Sequence, residues 1–254
     1  MNVFKYFANL YKSKDALLNH VTLFSISGLL AISVSSYLSS VFGNIYGTFF
    51  DSISLSPVVS YFLLVFATML FIFFAGYNYW VIDRMFNGED ELPELSLLSY
   101  FIFVKMLPVL IVWKIYEFAF FAAGFMYLPM NKPWFYVYMS VLICLLPFLN
   151  LIYSVFIKDF SYRAEVFSPI TLFRVLNRCL GSVIILWTQI IILLIIPAVL
   201  AYLVLRFAPS IANPSLQSSV KLGGVCILTY LLLVIKFAYN RGLVEIAKNK
   251  LSDI

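Results

Sequence analysis

Gly76-Tyr77-Asn78-Tyr79-Trp80-Val81-Ile82-Asp83-Arg84-Met85-Phe86-Asn87-Gly88-Glu89-Asp90-Glu91-Leu92-Pro93-Glu94 is the stretch that decides how this chain folds. It begins inside an apolar run that belongs in lipid and leaves through aromatic residues and Arg84. It ends in a turn that places Glu89, Asp90, Glu91 and Glu94 within six residues. Such a run, closed by aromatics, a cation and a polar turn, is the end of a membrane-spanning helix.

The rest of the chain agrees. Its 254 residues are 63% hydrophobic and 11% charged, against roughly 45–50% and about 25% in soluble domains. So few charges cannot cover a water-soluble surface. Apolar runs of helical length recur throughout, without the alternation of a membrane barrel strand. The fold class is therefore all-α: a polytopic membrane bundle of about six transmembrane helices arranged as three hairpins, with the lipid bilayer as its first partner. The net charge of +5 comes from Lys and Arg scattered at helix ends, which points to membrane topology and away from nucleic acid.

Residues 2–19 carry Phe4, Phe7, Leu10, Tyr11, Leu17 and Leu18 at helical spacing, interleaved with Lys5, Lys12 and Lys14. This predicts an amphipathic helix in the membrane interface, with its apolar face in lipid or against the bundle. Membrane helices are expected at 21–43, 58–80, 106–128, 134–157, 180–205 and 220–240, as a single membrane domain. The first is rich in Ser, which lets neighbours approach closely and suits an interior position. Residues 92–104 read either as a second interfacial helix or as the start of one long helix kinked at Pro108. The loops 81–105 and 158–179 hold the acidic turn and the most basic segment, and a short amphipathic piece runs from Ile170 to Arg178. A charged tail follows residue 240.

With the N-terminus in the cytoplasm, eleven Lys and Arg fall on that side and three (Lys132, Arg206, Lys221) outside. The positive-inside rule then puts both termini in the cytoplasm, in a prokaryotic inner membrane. No signal peptide is evident. A weak internal repeat also emerges: each of three hairpins ends in aromatics followed by Arg, at Tyr79 to Arg84, Tyr162-Arg163 and Tyr239-Asn240-Arg241.

The motif of Gly76, Tyr77, Arg84, Gly88, Glu89, Asp90, Glu91, Leu92 and Pro93 resembles the signature of a prokaryotic membrane family of uncharacterised function, domain of unknown function 4013. There, a Gly-Tyr helix end leads through Arg to a Gly-(acid)-Glu-Leu-Pro turn. This chain departs by continuing Glu94-Leu95-Ser96 where Trp and acids are usual. The resemblance covers about 20 residues; it implies a helical-bundle fold and no particular activity. Physically, Gly88 permits the turn, Pro93 opens a helix and the acids face that helix's positive end. The acids could equally dock a basic partner. Their spacing does not follow the calcium-loop pattern.

Lys114 and Glu117 are the charged pair set deepest in an apolar helix, three residues apart and so on one face. Ionisable groups at bilayer depth cost about 2.5–3.5 kcal/mol each, so they pair or mark a pathway. A structural polar pair and a transport or ligand site are both consistent, with Gln189 and Asn150 as polar candidates on other helices. Chemistry-bearing signatures are missing: there is one histidine, His20, read as a solvated interface residue, and no nucleophile elbow, phosphate loop or paired-cysteine motif. Cys144, Cys179 and Cys226 are widely spaced and read as buried small hydrophobes. No cofactor is implied. The expectation is a non-catalytic scaffold or accessory subunit that docks protein partners at its cytoplasmic face. The alternative is a small transporter or lipid-handling protein with a polar site at Lys114 and Glu117.

Overall fold

The computed structural model describes residues 2–12, 16–42, 57–89 and 95–251. Among them are the helices α1 (Val3–Asn9), α2 (Ala16–Phe42), α3 (Pro57–Phe86), α4 (Leu98–Tyr127), α5 (Pro133–Asp159), α6 (Ala164–Phe167), α7 (Pro169–Phe207) and α8 (Pro214–Lys250), and no strand. Six of these helices are long and apolar enough to cross a membrane. The chain is an integral membrane protein built as an all-α bundle.

Local chemistry starts and stops these helices. Asn2 accepts the amide of Lys5 through its side chain and caps α1. Ser168 does the same for Ile170, with Pro169 in the first turn of α7, and Pro133 opens α5. Phe160, left-handed at φ 45°, closes α5. Proline occurs inside α4, α5 and α7, at Pro108, Pro147 and Pro197, and none of the three helices ends there.

Several helices run further than the apolar runs alone suggest. Leu98–Tyr127 is one helix with Pro108 inside it, and Ile170–Arg178 is the first part of α7. Helix α8 continues through the charged segment to Lys250, with Leu243, Val244, Ile246, Ala247 and Leu251 buried. By contrast the N-terminal segment is broken: α1 ends at Asn9 and α2 begins at Ala16. A 39-residue α7 is about 58 Å long, close to twice the roughly 30 Å hydrocarbon core. Its end must project beyond the lipid.

The packing is an interleaved ring. The trailing helices of the three hairpins, α3, α5 and α8, pack on one another at the centre. Each leading helix lies between its own trailing partner and that of the preceding hairpin. Thus α2 contacts α3 and α8, α4 contacts α5 and α3, and α7 contacts α8 and α5. The Ser-rich α2 is accordingly an outer helix with one buried face rather than an interior one. That face carries Ser27 and Ser33, and there Gly28 meets Cys226. Small residues allow the close approach, as dispersion-driven packing in lipid requires.

Candidate functional site

Gly76 is buried where α4 lands on α3, and a Cβ there would lie 1.8 Å from the carbonyl oxygen of Ser99. Tyr77 is 1% exposed and meets Phe237 of α8 edge to face. Arg84 forms an ion pair with Glu89, both half-exposed, and Gly88 takes φ +90° between them. Asp90, Glu91, Leu92, Pro93 and Glu94 lie outside the described residues.

The central helices are joined by a polar seam. Asn240 of α8 donates to the side-chain carbonyl of Asn78 on α3 at 2.6 Å. Asn150 of α5 donates to the Tyr239 hydroxyl at 3.4 Å, and Trp187 of α7 hydrogen-bonds the same hydroxyl. Two buried polar atoms here have no hydrogen-bond partner, Asn240 Oδ1 and the Tyr153 hydroxyl. Because no water enters hydrocarbon, amide pairs of this kind fix which helices are neighbours.

At one end of the bundle a second set of contacts ties α1, α3 and α8 together. The carbonyl of Met85, in the last turn of α3, accepts from Arg241 at 3.0 Å and from Lys248 at 3.2 Å. Two cations thus sit at the negative end of a helix, on a carbonyl that also accepts the Gly88 amide at 3.3 Å. The Arg241 guanidinium also stacks over Tyr6, whose hydroxyl donates to the Glu245 carboxylate. Gln189 accepts the backbone amide of Val3 at 3.1 Å, pinning the start of α1.

His20 is 7% exposed, not solvated. Its Nε2 donates to the Leu10 carbonyl at 2.7 Å, leaving Nδ1 to accept from the Tyr230 hydroxyl at 2.8 Å. Tyr11 stacks on the imidazole, 4.3 Å between centroids and 6° from parallel. The ring spans the break between α1 and α2 and ties both to α8.

Lys114 and Glu117 do pair, at 2.5 Å, and the two partners differ sharply in exposure, 65% against 16% for the side chains. Glu117 stands on the wall of a groove of about 120 Å³ between α4, α5 and the first turn of α7, otherwise lined by apolar and aromatic side chains. Asn150 and Gln189 take other partners, Tyr239 and Val3. The four polar residues therefore serve three separate contacts.

No known protein family, curated protein or solved structure matches this chain. Its chemistry must be judged from its own geometry. Among the described residues no three His, Cys, Asp or Glu side chains gather as a metal site would require. The cysteines are free: Cys144 is exposed, Cys179 and Cys226 are buried.

The seam contains residues that periodicity did not single out. Asn78 and Asn240 each follow a tyrosine near the end of an apolar run, and that repeated Tyr-Asn was the available signal. His20 gave none, because its burial depends on Tyr11 and Tyr230, which are distant from each other in sequence.

Proposed function

We propose that this protein is a non-catalytic scaffold or accessory subunit of a prokaryotic inner membrane, docking protein partners at its cytoplasmic face. The observation that carries this reading is the use of the interior polar groups. Asn78 and Asn240, Asn150 and Tyr239, and Gln189 and Val3 each join one helix to another, while Lys114 and Glu117 pair within α4. Polar side chains engaged between helices act as packing contacts rather than as a row of groups awaiting a cargo. The eleven-to-three division of Lys and Arg supports placing both termini in the cytoplasm. On that orientation the Arg84–Glu89 pair and the exposed Arg163–Asp159 pair lie on the docking face. The Gly-Tyr, Arg and Gly-acid-Glu-Leu-Pro spacing supports kinship with domain of unknown function 4013.

A photocrosslinking residue in place of Asn87 or Arg163, compared with one at lipid-facing Tyr202, tests this in native membranes. A discrete protein adduct from the first two positions and none from the third supports a docking face. Lipid adducts alone at all three would overturn it. Transport or lipid handling is favoured by one observation, the position of Glu117 on the groove wall. There, Glu117→Gln should leave the fold intact and abolish cargo movement in proteoliposomes. Wild-type behaviour of that variant removes this second role.

A further inference from the structure

Lys236 stands in α8 inside a run whose other members, Val234, Ile235, Phe237 and Ala238, are 0%, 3%, 1% and 1% exposed. Its ammonium rests over the Tyr239 ring, 4.7 Å from the centroid. Among the described residues no carboxylate pairs with it: Glu89, Glu117 and Asp159 are engaged by Arg84, Lys114 and Arg163. The polar seam therefore contains a cation without a counter-charge. A tyrosine face offsets only part of the cost of taking an ammonium out of water, and cations inside a membrane protein are as a rule paired.

The surroundings say what kind of charge fits. Asn240 is one turn on from Lys236, on the same face of α8, and bonds Asn78 of α3. Tyr239 is three residues on and bonds Asn150 of α5. The ammonium thus belongs to the place where α3, α5 and α8 pack together. Donors remain there after the seam's own contacts. Asn78 uses its side-chain carbonyl for Asn240, which leaves both of its amide N–H groups, and Asn150 gives one of its two to Tyr239. The orphaned Asn240 Oδ1 is within the same turn, but a neutral amide oxygen can take only one ammonium proton and supplies no charge. The buried apolar residues on either side of Lys236 exclude a partner helix or a lipid headgroup from this turn. What remains is a small anion, and a single cation calls for a single negative charge.

We infer that the seam binds one small monovalent anion of the halide class at Lys236, with the Asn78 amide as a second donor. The ion is a structural counter-charge that stabilises the packing of the three trailing helices. It is independent of whether the chain docks partners or moves cargo.

Equilibrium binding of radioactive chloride to the full chain in an uncharged detergent tests this, with gluconate holding the ionic strength. One chloride per chain is expected, displaced by bromide, together with a higher unfolding temperature in chloride than in gluconate. Lys236→Met keeps the stem, removes the charge and should stay folded, since an apolar side chain of similar volume replaces a buried charge at little cost. It should bind chloride about tenfold or more weakly, as loss of one hydrogen bond to a charged group provides, and lose the chloride-dependent stabilisation. Lys132→Met, at the start of α5, should bind as wild type does. Absence of saturable chloride binding by wild type overturns the proposal even if the Lys236 variant misfolds. So does wild-type affinity in folded Lys236→Met, or a loss in Lys132→Met as large as that in Lys236→Met.

Discussion

The side-chain amide of Asn240 lies 2.6 Å from the side-chain carbonyl of Asn78, joining the trailing helices of the first and third hairpins at the two places where the sequence reads Tyr-Asn. The contact joins helices that the second hairpin and α7 separate along the chain. Coupling between buried amides in membrane proteins averages about 0.6 kcal/mol and reaches about 1.7 kcal/mol. Asn78→Ala and Asn240→Ala should each destabilise the bundle, and the double variant should cost less than their sum by about that coupling. Reversible unfolding in mixed micelles measures it. Strict additivity would mean that the amides do not act as a pair.

Glycines separate packing from backbone conformation. At Gly76 an added methyl would collide with the Ser99 backbone at 1.8 Å, and α4 would have to move off α3. Overpacking of this kind costs about 1–3 kcal/mol, occasionally more. At Gly88 the surrounding space is open but φ is +90°, so Gly88→Ala should cost about 1–3 kcal/mol through the backbone alone. Gly181 sits inside α7 with nothing near its Cβ position. Gly181→Ala should be neutral or stabilise by up to about 1 kcal/mol. Thermal unfolding of the three variants gives the order, and a harmless Gly76→Ala would contradict the α3–α4 contact.

How much of this was legible beforehand depends on whether a property is local. Hydropathy is local, so six apolar helices could be counted from the residues. Helix ends were harder. The segments Leu98–Val104, Ile170–Arg178 and Arg241–Lys250 look like interfacial or tail pieces because they are polar or periodic, yet each continues an adjoining long helix. Their apolar faces pack on neighbours whose identity the sequence does not state. Helix adjacency is non-local too: the echo between Tyr77-Asn78 and Tyr239-Asn240 was visible, the contact between them was not. Pairing of Lys114 with Glu117 followed from a spacing of three, whereas the groove needed α5 and α7 to close it.

Orientation gives a sharper test than stability. The proposed orientation, which rests on the charge count, has 81–105 and 158–179 on the cytoplasmic side and Lys132 outside. In a background with exposed Cys144 replaced by Ser, an impermeant maleimide should label Lys132→Cys in intact cells. It should reach Glu89→Cys and Arg163→Cys only after permeabilisation. External labelling at Glu89 would invert the topology and remove the proposed docking face.

The Met85 carbonyl offers a test of how α1 is held. It accepts from both Arg241 and Lys248, and Arg241 also stacks on Tyr6 of α1. Loss of Arg241 leaves the carbonyl a second donor but takes the cation from the Tyr6 ring. Arg241→Gln should therefore loosen α1 more than the end of α3. Hydrogen exchange should quicken at 5–10 before it quickens at 83–86. An equal rise in both segments would mean the two donors are not redundant.

Trp113 provides the corresponding test at the α5–α7 connection. Its indole is 2% exposed and donates to the Val166 carbonyl at 2.9 Å. Helix α6 is only four residues long and too short to persist by itself, since isolated helices below about 12–15 residues are marginal. The indole bond and the Thr171 hydroxyl bond to the Glu165 carbonyl, at 2.6 Å, hold it in place. Trp113→Phe keeps most of the buried ring and removes the donor, leaving a buried carbonyl unpaired at a cost of about 1–3 kcal/mol. Amide exchange across 164–168 should accelerate at least as much as that cost allows, while exchange in the central helices α3 and α8 stays near wild type. Thr171→Val should act on the same segment, and the two substitutions together should melt it. If 164–168 keeps its protection in the double variant, the segment is held by its apolar contacts and not by these two hydrogen bonds.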